Sequence, residues 1–426
     1  MTDFSKMDFF KLKGAIQHYD WGGTRFIPSL LSRSNDENKP FAELWIGAHN
    51  RGSAYVETDE GQVGLDVLIA QNPEEFLGKN IAQAFGGQFP FLLKVLDAQK
   101  MLSIQVHPSM EQARAGFAAE EARKVPIDAP ERNYKDRNHK PEVHMALTEF
   151  WMLHGFRPAE EIAELLLKNQ AFQPLAEALS SHLEKSDFEK NDGSEFLRAL
   201  YQHVMELPQE KVDAILRPMM SVLTPKYARN ELEKKSPEFW AARAASDFPR
   251  KSGSFDRGVF SIYFLNLLRL RPGEGTFQPA GTLHAYLEGT NIELMSNSDN
   301  VLRGGLTRKH IDVPELLKTI SFEGGKPRII TGTEVSMNEA IYETPIKDFQ
   351  LSRIKLSFSC PFQINENRGP DALIVLDGKA RVSVGEKSLN LRKGDVLFIK
   401  AGKPYAMHTD ISATICRATA PLHTTS

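Results

Sequence analysis

Cysteine is scarce: there are two among 426 residues, Cys360 and Cys416. Without partners at metal or redox spacing, they exclude a disulfide scaffold, a cysteine-built zinc site and a dithiol redox centre. Each falls in an apolar, strand-like run and is expected to be a reduced core residue. An excess of one charge is missing too. Lys+Arg 52 against Asp+Glu 55 leaves a formal net charge of −3, so no global field draws the chain to nucleic acid or anionic lipid. Any anion site must be local. Apolar runs such as residues 89–93 fall far short of the roughly 20 residues that span a bilayer. Residues 1–13 mix Asp, Lys and Phe without an apolar h-region, so no secretory signal is expected and the cytoplasm is the default compartment. What remains is ordinary for a soluble globular chain, 41% hydrophobic and 25% charged. At roughly 100–200 residues per domain, the length allows about two to four domains.

Three textures follow one another. Residues 1 to about 155 are rich in Gly, Pro and short apolar segments, such as 61–65 and 91–96, and read mostly as strands and turns. From about Arg157 to Pro249 the period becomes helical. Pro158 stands where a helix would begin, Ile162, Leu165, Leu166 and Phe172 keep helical spacing, and Pro208 separates two further helical segments, 195–207 and 209–216. After Gly258 the strands resume and continue to the end.

That last portion contains an internal repeat. Residues 270–284 align with 391–405 at a constant offset of 121 residues, 391 against 270. Leu, Arg, Gly, Phe, Ala and Gly coincide, and Glu274 faces Asp395. Each copy reads as strand, Gly-Glu/Asp turn, strand, Ala-Gly turn, strand, which is the hairpin rhythm of a jelly roll. Two such units predict a mainly β double jelly roll with an inserted α-helical domain. The copies differ where His284 in the first becomes Tyr405 in the second, so a metal is expected in the first copy alone.

Four segments place polar residues in otherwise apolar strands. On residues 102–108, alternation puts Ser103, Gln105 and His107 on one face and Ile104 and Val106 on the other. On residues 136–142, Lys140 and Glu142 share a face and His139 takes the opposite one. Residues 279–284 end in His284, and residues 291–309 carry Glu293, Asp299, Arg303, Arg308 and Lys309. One amide oxygen, one carboxylate and two imidazoles form a mixed N/O set suited to Zn²⁺, Mn²⁺, Fe²⁺ or Co²⁺, with room for water or substrate oxygens.

The same segments, with Tyr19–Gly23, Ala42–Gly47, Phe91–Leu96, Leu102–Pro108, Asn138–Glu142, Pro279–Tyr286 and Ser298–Thr307 followed by Lys309, resemble the type I mannose-6-phosphate isomerases, zinc-dependent members of the cupin superfamily. The resemblance spans essentially the whole chain. It implies one Zn²⁺ per chain held by Gln105, His107, Glu142 and His284, and an active-site arginine at Arg303. Ser103, Lys94, Glu43 and Trp21 sit in family motifs and are candidates to line the pocket, Trp21 equally as a core aromatic. The family's usual Leu-Thr-Pro-Lys is broken here by Arg308, which leaves Lys309 in place and adds a cation on the phosphate side. The implied organisation is 1–156 with 258–335 as a metal-binding jelly roll split by insertion, 157–257 as the helical insertion domain, and 336–426 as a metal-free jelly roll.

The implied reaction interconverts mannose 6-phosphate and fructose 6-phosphate through a cis-enediol(ate), serving mannose use or activated-mannose synthesis. It needs a base for the carbon-bound proton, an electrophile for the developing oxyanion, and fixed cations for a phosphate dianion. Glu293 is the first choice for the base, since enclosure makes a carboxylate hold protons more tightly; Lys140 is its rival. Arg303, Lys309, Arg308 and Ser103 are the phosphate-side candidates. A non-haem iron cupin oxygenase and a catalytically silent sugar-binding cupin are the competing readings. The expected partner is a small sugar phosphate, with no nucleic acid or membrane, and the oligomeric state is left open.

Overall fold

The computed structural model describes residues 4–183, 193–250 and 253–421. Two ten-stranded antiparallel systems dominate it. In the first, strands run in the order Leu265–Leu270, Phe150–Phe156, His284–Ser296, Phe91–Ala98, Glu43–Ile46 and Ala15–Gln17, with Gly275–Gln278, Glu142–Ala146, Ile104–Val106 and Leu302–Gly305 paired beside them. The second is built from Thr333–Glu334 onward, centred on Asp371–Val384 and Ser412–Thr419. It also takes in Phe9–Leu12, which pairs with Val396–Ile399, so the first strand of the chain completes the sheet of the last. With helices inserted between strands of the first system, this is the double jelly roll expected.

The internal repeat is structural. Leu265–Leu270, Gly275–Gln278 and His284–Ser296 correspond to Lys387–Arg392, Val396–Ile399 and Tyr405–His408. The turn glycines agree in conformation as well as position: Gly273 and Gly394 have φ of 89° and 84°, and Gly281 and Gly402 have 84° and 75°. Positive φ at these corners favours residues without a Cβ, which is why the glycines align so well.

The long strand His284–Ser296 builds the site. Its first residues pair with Gln105 and with Phe150–Phe156, and its second half pairs with Phe91–Ala98 and Glu142–Ala146. The chain changes partners around Gly289 (φ 120°), where a Cβ would lie 2.4 Å from the Glu149 carbonyl. One strand thereby carries His284 and Glu293 into the same interior.

The two sandwiches are filled differently. Inside the second, Leu373, Val375, Val382, Leu397, Ile399, Met407 and Ile415 form a continuous apolar cluster. Inside the first, the apolar floor is small, with Leu96, Ala146, Phe150, Met152 and Tyr286 among its members, and the layers above it are polar. A third cluster joins the sandwiches through Phe10, Leu44, Leu93, Ile292, Leu351 and Phe398. The largest packs the helical block onto Ile104, Val106, Leu302 and Leu306, so the apolar face of the metal-side strand is held by the insertion.

The helices expected at 158–216 are present as Ala159–Lys168, Ser194–Glu206 and Gln209–Ala228, while Phe172 ends a separate 3₁₀ turn, Gln170–Phe172. Three readings need correction. The N-terminal portion, read mostly as strands, contains helices at Leu65–Gln71, Pro73–Leu77, Lys79–Ala84 and Met110–Ala122. Their signals were local caps: Asn72 before Pro73, and a Ser109/Gln112 capping box. Strands resume at Leu265 rather than Gly258, because Gly258–Phe264 is a helix buried on every side, and such a run has no period to separate helix from strand. Cys416 is buried in a strand as expected, but Cys360 is half-buried at a turn closed by the Ser357 carbonyl.

Candidate metal centre and active site

Glu142 opens its strand with a buried side chain, and three groups converge on it. His107 Nε2 lies 3.2 Å from Oε1, His284 Nε2 lies 3.3 Å from Oε2, and Lys140 Nζ lies 3.1 Å from Oε1. The imidazole and carboxylate donors of His107, Glu142 and His284 fall within 4.8 Å of one another. Gln105 is the register partner of both His284 and Arg303, so it shares their face of the sheet.

The hydrogen bonds behind the rings decide their tautomers. His107 Nδ1–H donates to the Asn300 carbonyl at 2.8 Å, and His284 Nδ1–H donates to the Thr282 carbonyl at 3.0 Å. In the neutral rings, both Nε2 atoms then present lone pairs to a carboxylate. Three lone-pair donors facing one another repel unless a cation lies between them, and His107 Nε2 is buried with no hydrogen-bond partner. Burial, assisted by Lys140, pushes the His107 pKa down to about 4. For Glu142, burial alone would raise the pKa, but Lys140, His107 and His284 hold it well below the usual carboxylate range. A neutral imidazole and an ionised carboxylate are the states a divalent ion requires, so the donors fit one.

The loop that supports His107 is tied down by the Ser298-Asp-Asn motif. Asn300 Oδ1 accepts the Lys135 backbone N–H at 2.7 Å, its Nδ2 donates to the Asn138 carbonyl at 2.8 Å, and Asp136 accepts from Ser298 Oγ at 2.9 Å. Polar residues that look functional in sequence are here the fasteners that aim a ligand.

One layer deeper lies a second charged group. Lys94 Nζ meets Glu293 Oε1 at 2.8 Å, Tyr286 O–H donates to Glu293 Oε2 at 2.7 Å, and Glu43 accepts from Trp45 Nε1. Burial would lower the Lys94 pKa, but Glu293, Glu43 and Glu142 drive it upward; Tyr286 is raised by burial and by Glu293. Both Glu293 oxygens are therefore engaged. Tyr286 was missed as a site residue, although it stands two places after His284 on a strand and so shares its face. His49 was missed as well. It is buried against Trp45, with Nε2 3.6 Å from Asp299 Oδ2, and burial pushes its pKa down to about 4.

Arg303 sits on Leu302–Gly305, across from Gln105, and burial lowers its pKa; among the described residues no carboxylate pairs with it. Lys309 is lowered by burial and by the charges of Arg303, Arg51 and Lys135. Lys309 and the exposed Arg308 line a cleft of about 690 Å³ together with Arg250, Ser254 and Thr307. Arg250 is paired with Asp256 at 2.7 Å, whereas among the described residues no ion pair is formed by Arg308 or Lys309. Ser103 immediately precedes the Ile104–Val106 strand, half-buried. Trp21 stacks on Tyr19 with centroids 5.7 Å apart and packs on the apolar floor that includes Tyr286.

Comparison with known proteins agrees with this geometry. Residues 9–159 match the family described as phosphomannose isomerase type I, catalytic domain. Mannose-6-phosphate isomerase of Shigella flexneri is 37% identical over 397 residues, 92% of this chain and 95% of the relative, and that of Homo sapiens is 34% identical over 417 residues, 93% and 95%. The crystal structure of the Salmonella typhimurium enzyme bound to fructose 6-phosphate and zinc has a TM-score of 0.83 at 34% identity, covering 97% of this chain and all of that one. A second mannose 6-phosphate isomerase structure, with zinc and yttrium, aligns equally well, with a TM-score of 0.83. The similarity reaches across both sandwiches and the helices between them, and on that breadth the chain belongs to the type I phosphomannose isomerase family.

Proposed function

We propose that this protein is a zinc-dependent isomerase that interconverts mannose 6-phosphate and fructose 6-phosphate through a cis-enediolate, in the cytoplasm. The observation that carries the reading is the buried set of His107, Glu142 and His284, with Lys140 against it and Arg303 nearby, unpaired with any carboxylate among the described residues. Gln105, His107, Glu142 and His284 would hold the ion. When bound, zinc supplies a Lewis acid for the oxygens on C1 and C2 of the open-chain sugar.

The chain's own residues do the rest. Arg303 and Lys309 receive the phosphate dianion, the guanidinium by paired N–H donors and the ammonium as a point charge, with Ser103 and Arg308 beside them. Fixing that end sets the reach of the chain and so places C1 and C2 at the Glu142 cluster. There the proton on C2 of the aldose must leave and return on C1. Lys140 is the stronger candidate for this role, because its side chain already lies in the cluster, whereas Glu293 is held by Lys94 and Tyr286; the form that takes the proton is the neutral amine, which the charge of a bound zinc ion would favour. Glu293 and Glu43 keep Lys94 charged, and that fixed cation favours negative charge building on the sugar oxygens.

The test follows turnover of mannose 6-phosphate in three states: as purified, after chelation, and after zinc is restored. Activity that disappears with the metal and returns with it is the expected result. Absence of turnover with zinc fully bound would overturn the isomerase reading and leave a sugar-binding cupin.

A further inference from the structure

Between the strands Glu339–Tyr342 and Gln350–Ser357 of the second system, the chain loops against the outside of the first, and there Asp348 makes two short bonds. Its Oδ2 lies 2.8 Å from His139 Nε2 and accepts from Ser296 Oγ at 2.6 Å. The side chains of His139 and Asp348 are 19% and 13% exposed, and Ser296 is fully buried. Ser296 closes the long strand and alternates with Glu293, sharing the outward face with Ile292 and Leu294, which pack in the cluster that also holds Phe349 and Leu351. The Asp348 contact is therefore on the far side of the sheet from the metal ligands.

His139 and Lys140 precede the strand that begins at Glu142, so no strand ladder fixes their directions. The side chain of one points out to Asp348 and that of the next points in, to 3.1 Å from Glu142. We propose that Asp348 is a positioning residue for the isomerase reaction: by clasping His139 on the outer face, it sets Lys140 inside the cavity. A loop between two strands of the second half thus completes the active site of the first. The inference rests on the proposed isomerase activity and on the role given there to Lys140.

The experiment is a double-mutant cycle on the zinc-loaded full-length protein, comparing Asp348→Ala, Lys140→Ala and the pair, with Asp348→Asn as the conservative variant. Asp348→Ala should lower kcat about tenfold, the lower end of what outer partners of a metal site contribute, at unchanged zinc content and melting temperature. Asp348→Asn keeps an acceptor for the His139 N–H and should recover most of the rate. In the Lys140→Ala background, the second substitution should add less than about twofold, since residues acting through one another are not additive. Where turnover there is too low, calorimetric affinity for fructose 6-phosphate closes the same cycle. Should Asp348→Ala not fold, Ser296→Ala removes one anchor and should show a smaller loss with the same dependence on Lys140. Losses that multiply in full, or that track zinc content or melting temperature, overturn the proposal while the isomerase reading stands. A zinc-loaded wild type without turnover overturns both.

Discussion

Glu142 is the residue on which the centre turns, because two imidazoles and an ammonium converge on it. Glu142→Gln should release zinc and reduce turnover by more than about a hundredfold, beyond the range for outer partners alone, as measured by metal analysis alongside kinetics. The two candidates for the base separate by stability. In the zinc-loaded protein, where the ion would still balance the Glu142 carboxylate, Lys140→Ala should lower kcat by roughly 10²–10⁴, the span of general acid–base catalysis, at a melting temperature close to wild type. Glu293→Gln should instead cost about 3–5 kcal/mol of stability as well, because it leaves Lys94 buried without its partner. If Glu293→Gln melts normally and is inactive, the base is Glu293. The buried histidines also fix an acid limit. His49, His107 and His154 are depressed to about 4 and His144 to about 3, each chiefly by burial. An unfolded histidine binds its proton near pH 6.5, so between that value and about 4 the unfolded chain holds more protons than the folded one. Stability should be complete above about pH 6.5 and fall as pH drops through this window, by up to about 1.4 kcal/mol per pH unit for each group. Urea titrations of the chelated protein from pH 7 to 4.5 would measure it, and a flat profile would contradict the assigned burial.

At the scale of the element, the long strand and its glycine corners matter most. Gly394 has φ of 84°, and a Cβ there would stand 2.1 Å from the Leu30 carbonyl. Gly394→Ala should therefore destabilise by more than about 1 kcal/mol while leaving turnover per folded molecule unchanged, since the corner lies in the metal-free sandwich; a melting curve with an activity assay checks both. The repeat was legible in sequence because turn chemistry is local: the αL corners select glycine wherever the hairpin recurs. The helices at 65–84 and 110–122 were not read from the same stretch. They are short, apart from Met110–Ala122, and a helix of under two turns leaves too few positions to display a period. Residues 258–264 failed for the opposite reason, being apolar all round. His107, Glu142 and His284 were legible because imidazole and carboxylate groups in otherwise apolar strands are costly to bury without a partner.

For the whole molecule, the shared cluster of Phe10, Leu93, Ile292, Leu351 and Phe398 makes the two sandwiches one cooperative object. Phe398 stacks on Phe10 with centroids 5.4 Å apart, and Phe9–Leu12 needs Val396–Ile399 as its partner. Phe398→Ala should cost about 3–5 kcal/mol, as for a large aromatic lost from a core, and the protein should still unfold in one calorimetric transition. Two separated transitions would show that the sandwiches are independent. The helical block packs on Ile104 and Val106, immediately before His107, so at this scale it backs the strand that leads into the His107, Glu142 and His284 group.

By itself the sequence determined the repeat, the helical stretch and the polar set His107, Glu142 and His284, because each depends on short-range rules: turn chirality, side-chain alternation and the poor fit of polar groups to apolar strands. Tertiary structure alone decided which polar residues touch. That Glu293 Oε1 is taken follows from Lys94 arriving 199 positions away, and the contact of His139 with Asp348 spans 209 positions. The first strand joins the last sheet for the same reason. Pairings across such separations are set by how the sheets pack, and no local pattern encodes them.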